Sequence, residues 1–119
     1  MKKTLELLAK GFESSSEKTP EFANFTKIFK TELKKELQTI GATLEVFSIG
    51  HFYVSGFFKL DGKLFYFSLS DVRGSEFSSQ VNMLFRTAEH LKDFTGGHNQ
   101  YVTIQPEEGE TARRMNLKR

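Results

Sequence analysis

An α+β fold is predicted by three features of the sequence. Apolar residues recur at steps of three and four from Phe22 to Ile40, the period of one helix face. After Gly41 the period changes to two, the period of a half-buried strand. Asp61-Gly62 then separates two aromatic-rich runs, a strong two-residue hairpin signal. Together they describe one long helix packed on a curved antiparallel sheet of about four to five strands, with a short helix ahead of it, in a single domain over residues 1–119.

Residues 1–18 read as a short helix and a polar link. MKKTLELLAKGF begins like a signal peptide, but Glu6 and Lys10 interrupt its apolar part, which leaves a short amphipathic helix. ESSSEKT, 13–19, is the link. The long helix, 20–40, starts with Thr19 as its cap, Pro20 at its first position and Glu21 at the positive end of the dipole. Phe22, Phe25, Phe29, Leu33, Leu37 and Ile40 form its stripe, and Gly41 closes it. Lys27, Lys30 and Lys34 make a second stripe, either a solvated face or a footprint for an acidic partner.

The sheet region is 43–104. TLEVFSI, 43–49, is a strand that Gly50 breaks; 51–60 and 63–72 are the arms of the hairpin. With Asp61 and Gly62 as the loop, Phe58 faces Phe65, Gly56 faces Phe67 and Val54 faces Leu69. Between them, Lys59 faces Leu64, Phe57 faces Tyr66, Ser55 faces Ser68 and Tyr53 faces Ser70. Pairs on a pleated ribbon alternate faces. One face, with Phe52, Phe58, Phe65, Phe67, Val54 and Leu69, suits the helix stripe. The other sets Tyr53, Phe57 and Tyr66 among serines and Lys59. It is either another core layer, covered by the first helix or by 81–104, or a platform for a partner. GSEFSSQ, 74–80, is a loop; 81–88 is a fourth strand, its period also compatible with a short helix; 89–100 holds a turn; 101–104 is a fifth strand. Residues 105–119 are expected to be a charged, solvated tail ending in RRMNLKR, with Arg113 and Arg114 available to phosphate or an acidic surface.

Several function classes are excluded or weakened. The chain has no Cys, which removes disulfide scaffolds, Cys-ligated zinc and thiol nucleophiles. No apolar run reaches the roughly 18 residues of a membrane span, and a cytoplasmic protein is expected. The net charge of +2 is too small to argue for nucleic acid by itself. His51, His90 and His98 lack metal-ligand spacing, so no metal site is expected. Neither phosphate-loop nor nucleophile-elbow spacing occurs, no cofactor is implied, and an enzyme is not expected. Asp71 and Arg73 read as a structural pair. Arg86, inside an apolar strand, needs a partner: a nearby carboxylate or a bound anion. With His98 and Asn99 beside a Gly pair, it makes a candidate anion site.

SDVR at 70–73, followed by MLFRTAEHLKDFTGGHNQYVTI, resembles a family of small proteins carried on bacterial conjugative elements and phages, largely of Gram-positive hosts. The resemblance covers 68–104 and brings no catalytic residues with it. It implies a mobile-element context, in which small proteins act as DNA-handling accessories or as inhibitors of host defence, anti-CRISPR proteins among them. The leading expectation is a non-catalytic protein that binds a larger protein partner, most sharply a CRISPR effector nuclease. Tyr53, Phe57, Lys59 and Tyr66 would make contact, and Lys27, Lys30 and Lys34 would steer the encounter. The alternatives are a nucleic-acid-binding accessory protein using the Lys stripe and the basic tail, and a small ligand binder or enzyme around Arg86, His90, Asp93 and His98.

Overall fold

A computed structural model describes residues 1–10, 20–50, 52–70, 81–93 and 97–117. The fold is α+β. Helices α1 (Lys2–Lys10) and α2 (Pro20–Gln38) precede strands β1 (Thr43–Ile49), β2 (Val54–Leu60), β3 (Lys63–Leu69), β4 (Asn82–Ala88) and β5 (Gln100–Thr103), and α3 (Glu110–Met115) follows. The strands form one antiparallel sheet in sequence order.

The stripe of α2 is its buried face. Phe22, Phe25, Phe29, Leu33 and Leu37 are each at most 2% exposed. Gly41, at φ 79°, closes the helix in a Schellman arrangement: the Ala42 amide donates to the Leu37 carbonyl at 2.9 Å and the Gly41 amide to the Gln38 carbonyl at 3.1 Å. The stripe meets the sheet ring to ring. Phe22 lies 5.0 Å from Phe52, Phe29 lies 6.2 Å from Phe47, and Phe47 lies 6.3 Å from Phe67. Phe58 and Phe65 stack at 5.1 Å, the cross-strand pair that the hairpin arithmetic predicts. Each such ring contributes on the order of 1.5–3 kcal/mol by leaving water.

The β2–β3 register is as derived from Asp61-Gly62, running from Leu60↔Lys63 to Val54↔Leu69. Asp61 at φ 49° and Gly62 at φ 80° supply the two left-handed residues that a type I′ turn needs. The strand begins later than expected, at Val54 rather than His51, because the chain turns at Gly50–Tyr53: Phe52 is left-handed, at φ 56°, and the Gly50 amide donates to the Tyr53 carbonyl at 2.9 Å. Tyr53 and Ser70 therefore fall outside the ladder. In β1 a bulge between Leu44 and Val46 shifts the pairing, which lets both Leu44 and Phe47 pack on the helix side. The fourth segment is a strand, not a helix. The polar link, His51, Asp71, Arg73, the 74–80 loop, Gly96 and the last two residues lie outside the described residues.

The C-terminal region differs from the solvated tail that its charge suggests. Residues 110–115 form α3, and Thr111, Ala112 and Met115 are buried. The Thr111 hydroxyl accepts the Gln105 amide at 2.8 Å, and the Met1 amino group donates to the Gln105 and Pro106 carbonyls at 2.9 and 3.1 Å. The physical reason is a carboxylate far off in sequence. Gly109, the N-cap of α3, has no side chain to cap with, and Glu36 of α2 takes the amides of Gly109 and Ala112 instead, each at 2.9 Å. Glu32, one turn earlier on α2, does the same for α1: it accepts the Thr4 amide and hydroxyl, both at 2.7 Å, and the Lys3 amide at 3.2 Å. No helix among the described residues is long and apolar enough to cross a membrane.

Candidate functional site

The face of the sheet turned away from α2 is organised in cross-strand rows. Ser48 pairs with Ser55, Ser55 with Ser68, Ser68 with Leu84 and Leu84 with Tyr101, so one row crosses all five strands. Short hydroxyl side chains occupy three of its strands and larger groups its β4 and β5 end; Ser48 is exposed, Ser68 and Leu84 are half-buried, and Ser55 between them is buried at 8%. Tyr101 is 64% exposed. The next row runs from Val46 through Phe57 and Tyr66 to Arg86.

This second row is consolidated, not open. Phe57, expected to offer its ring to a partner, is 1% exposed and meets Tyr66 edge-on at 5.3 Å. The Arg86 guanidinium lies 4.5 Å from the centre of the Tyr66 ring. Its Nη2 donates to the Asp93 carbonyl at 2.9 Å, and Nη1 stands 3.9 Å from the Asp93 carboxylate. Asp93 in turn accepts the Glu89 amide at 3.0 Å. Arg86 therefore pins the turn that follows β4, and its charge serves that contact. His98 and Asn99, expected beside it at an anion site, are exposed, and His90 Nδ1 accepts the Lys92 amide at 3.2 Å. Among the described residues no group of three or more His, Asp or Glu is placed to hold a metal ion.

The remaining predicted contact residues separate. Tyr53 is 43% exposed at the β1–β2 turn, its ring laid over Gly50, where an added Cβ would sit 2.0 Å from the Tyr53 Cζ. Tyr66 is half-buried, and Lys59 is exposed at the other end of β2. The Lys stripe of α2 divides as well. Lys30 lies over the Phe47 ring at 5.6 Å, Lys34 is exposed, and Lys27 turns toward a cavity between α1 and α2. Arg113 and Arg114 are exposed on α3, and both bind the Glu110 carboxylate, Arg114 through Nε at 3.2 Å. Hydrogen bonding to Arg113 holds the Glu110 carboxyl below its ordinary value and raises that of Arg113.

Tyr101, Leu84 and Ser48 belong to this row, and no local signal in the sequence places them in it. The Asp-Gly turn fixes β2 against β3, but neither 71–80 nor 89–99 carries a comparable turn signal, so the pairing of β4 and β5 could not be counted outward. Ser48 needed the bulge in β1.

Compared with protein-family models, with curated proteins and with solved structures, the chain matches none.

Proposed function

We propose that this chain is a non-catalytic interaction protein that docks on a larger protein partner through the outer face of its sheet, and that the partner is a host-defence nuclease, inhibited in the manner of anti-CRISPR proteins. One observation carries the reading: the Ser48–Ser55–Ser68–Leu84–Tyr101 row, which ends in a tyrosine 64% exposed. Tyrosine at the edge of a sheet, beside Leu84, supplies a large, rigid contact area with a polar tip, the composition of interface anchors. The β1 bulge, a feature that bends strands, supports the curvature proposed for the sheet. Tyr53 stands beyond the row at the turn, and Lys59 adds charge at the opposite end. The mobile-element resemblance of 68–104 supplies the class of partner.

The nucleic-acid reading draws less support. Arg113 and Arg114 share a carboxylate, and Lys30 rests on Phe47. A reading centred on Arg86 asks for a charge that the turn at Asp93 already holds.

The test is a plaque assay in cells carrying an active CRISPR nuclease that targets the infecting phage. Expression of the chain is expected to restore plaques, and the folded Tyr53→Ala/Tyr101→Ala variant to restore few. Equal plaque counts for variant and wild type would remove this face from the interaction. Unrestored plaques with the wild type would remove the nuclease class tested.

A further inference from the structure

A cavity of about 410 Å³ opens between the start of α1, the outer side of α2 and the loop at Pro106–Glu108. Lys2 and Lys3 of α1 and Lys27 and Lys35 of α2 are among the residues that line it. Among the described residues none of these four ammonium groups forms an ion pair with a carboxylate, although three glutamates also line the walls. Two of those glutamates are already engaged: Glu32 holds the amides of Lys3 and Thr4, and Glu36 those of Gly109 and Ala112. The third, Glu108, is exposed at the edge. Asn24 and Ile28 also line the cavity.

From this convergence we infer a binding site for a small polyphosphate anion, specifically the phosphate chain of a nucleoside di- or triphosphate. Four lysines and the Met1 amino group line the cavity against three carboxylates, so its lining is net positive, and a multivalent anion gains more from that field than a single carboxylate does. The volume lies in the range of roughly 300–1,000 Å³ typical of small-molecule sites, more than one phosphate group fills. Ile28 offers the remaining part of a nucleotide an apolar surface. A polynucleotide is less suited. Its phosphates would need cations continuing along the helix, and the next lysines, Lys30 and Lys34, do not line the cavity. This site is independent of the outer sheet face.

Isothermal titration of the full chain with ATP, tripolyphosphate and AMP tests the assignment. ATP and tripolyphosphate are expected to bind, AMP more than about tenfold more weakly, with affinity falling as NaCl rises from about 50 to about 300 mM. Tighter binding of ATP than of tripolyphosphate would show that Ile28 and its neighbours contact the nucleoside; equal binding would confine recognition to the phosphates. Lys27→Glu/Lys35→Glu is expected to lose at least about tenfold in affinity, and Lys63→Glu on the β2–β3 hairpin to lose none. Lys27, Lys35 and Lys63 are exposed, so these variants should fold, and Lys27→Gln/Lys35→Gln, checked by circular dichroism, gives a milder second arm. Absence of heat with both ATP and tripolyphosphate at about 1 mM would overturn the assignment. So would unchanged affinity in the Lys27/Lys35 variants, or binding of an oligonucleotide without binding of either probe.

Discussion

Glu36 caps a helix 76 residues away: its Oε1 accepts the Ala112 amide at 2.9 Å while its Oε2 accepts the Gly109 amide at the same distance. The side chain is 2% exposed. One carboxylate thus satisfies two of the amides that the start of α3 would otherwise leave unpaired, and it ties the C-terminal region to α2. Glu36→Ala is expected to lower stability by about 2–3 kcal/mol in urea unfolding, since charged hydrogen bonds are lost and buried amides stranded. The α3 amides should exchange faster well before global unfolding. A loss below about 0.5 kcal/mol, the size of an ordinary surface change, would show that α3 docks without this contact.

Acid should loosen the other end of the chain through Glu32. Burial pushes its carboxyl up, but the Thr4 hydroxyl, the Thr4 and Lys3 amides and the amino-terminal charge together outweigh that and hold it below its ordinary 4.5. A depressed folded-state value gives stability that is present above the unfolded value and lost as pH falls through the folded one. The urea midpoint of the wild type should hold from about pH 7 to about pH 5 and then decline. Glu32→Gln should start lower at neutral pH and decline less steeply in acid. Parallel acid limbs for the two proteins would contradict this assignment.

The core between α2 and the sheet should respond to truncation more than the outer face of the sheet does. Phe29 is fully buried between Phe25 and Phe47, and Phe29→Ala is expected to cost about 3–5 kcal/mol. Tyr101→Ala, on the outer row, should stay within about 0.5 kcal/mol of wild type. Comparable losses at the two positions in thermal or urea unfolding would mean that Tyr101 is part of a core.

Arg86 should behave as a structural residue. Arg86→Met keeps much of the side chain's bulk over Tyr66 but leaves the Asp93 carbonyl and carboxylate without the guanidinium. A loss of about 1.5–3 kcal/mol is expected, with faster proteolysis confined to the turn after β4. Full stability together with lost anion binding would return Arg86 to the role of a ligand residue.

The parts legible in the sequence are those set by local chemistry. The α2 stripe from Phe22 to Leu37 reads from its spacing, and the β2–β3 register from Asp61-Gly62, because a two-residue turn leaves one way to count. The illegible parts depend on distant groups. ETARRM carries little apolar signal, and it folds because Glu36, far upstream, closes its first turn. Phe57 looks like the surplus ring of a polar face, yet it is buried with Tyr66 against it and Arg86 on the far side of that ring, an arrangement that needs β4 in register. The outer row depends on β4 and β5 lying side by side, and the Gly pair between them marks a turn without fixing its register.

The proposed docking requires the two ends of the outer row, Ser48 and Tyr101, to be open while the opposite face of the sheet is closed. The chain contains no cysteine, so single cysteines can report each position. Ser48→Cys, Ser68→Cys, Tyr101→Cys and Phe67→Cys variants should be treated with a maleimide under native conditions and their labelling rates compared with those in denaturant. The account predicts rapid labelling at 48 and 101, slower but measurable labelling at 68, and labelling at 67 only on unfolding. Protection at 48, 68 and 101 equal to that at 67 would contradict it, for a row sealed on both sides offers a partner nothing to hold.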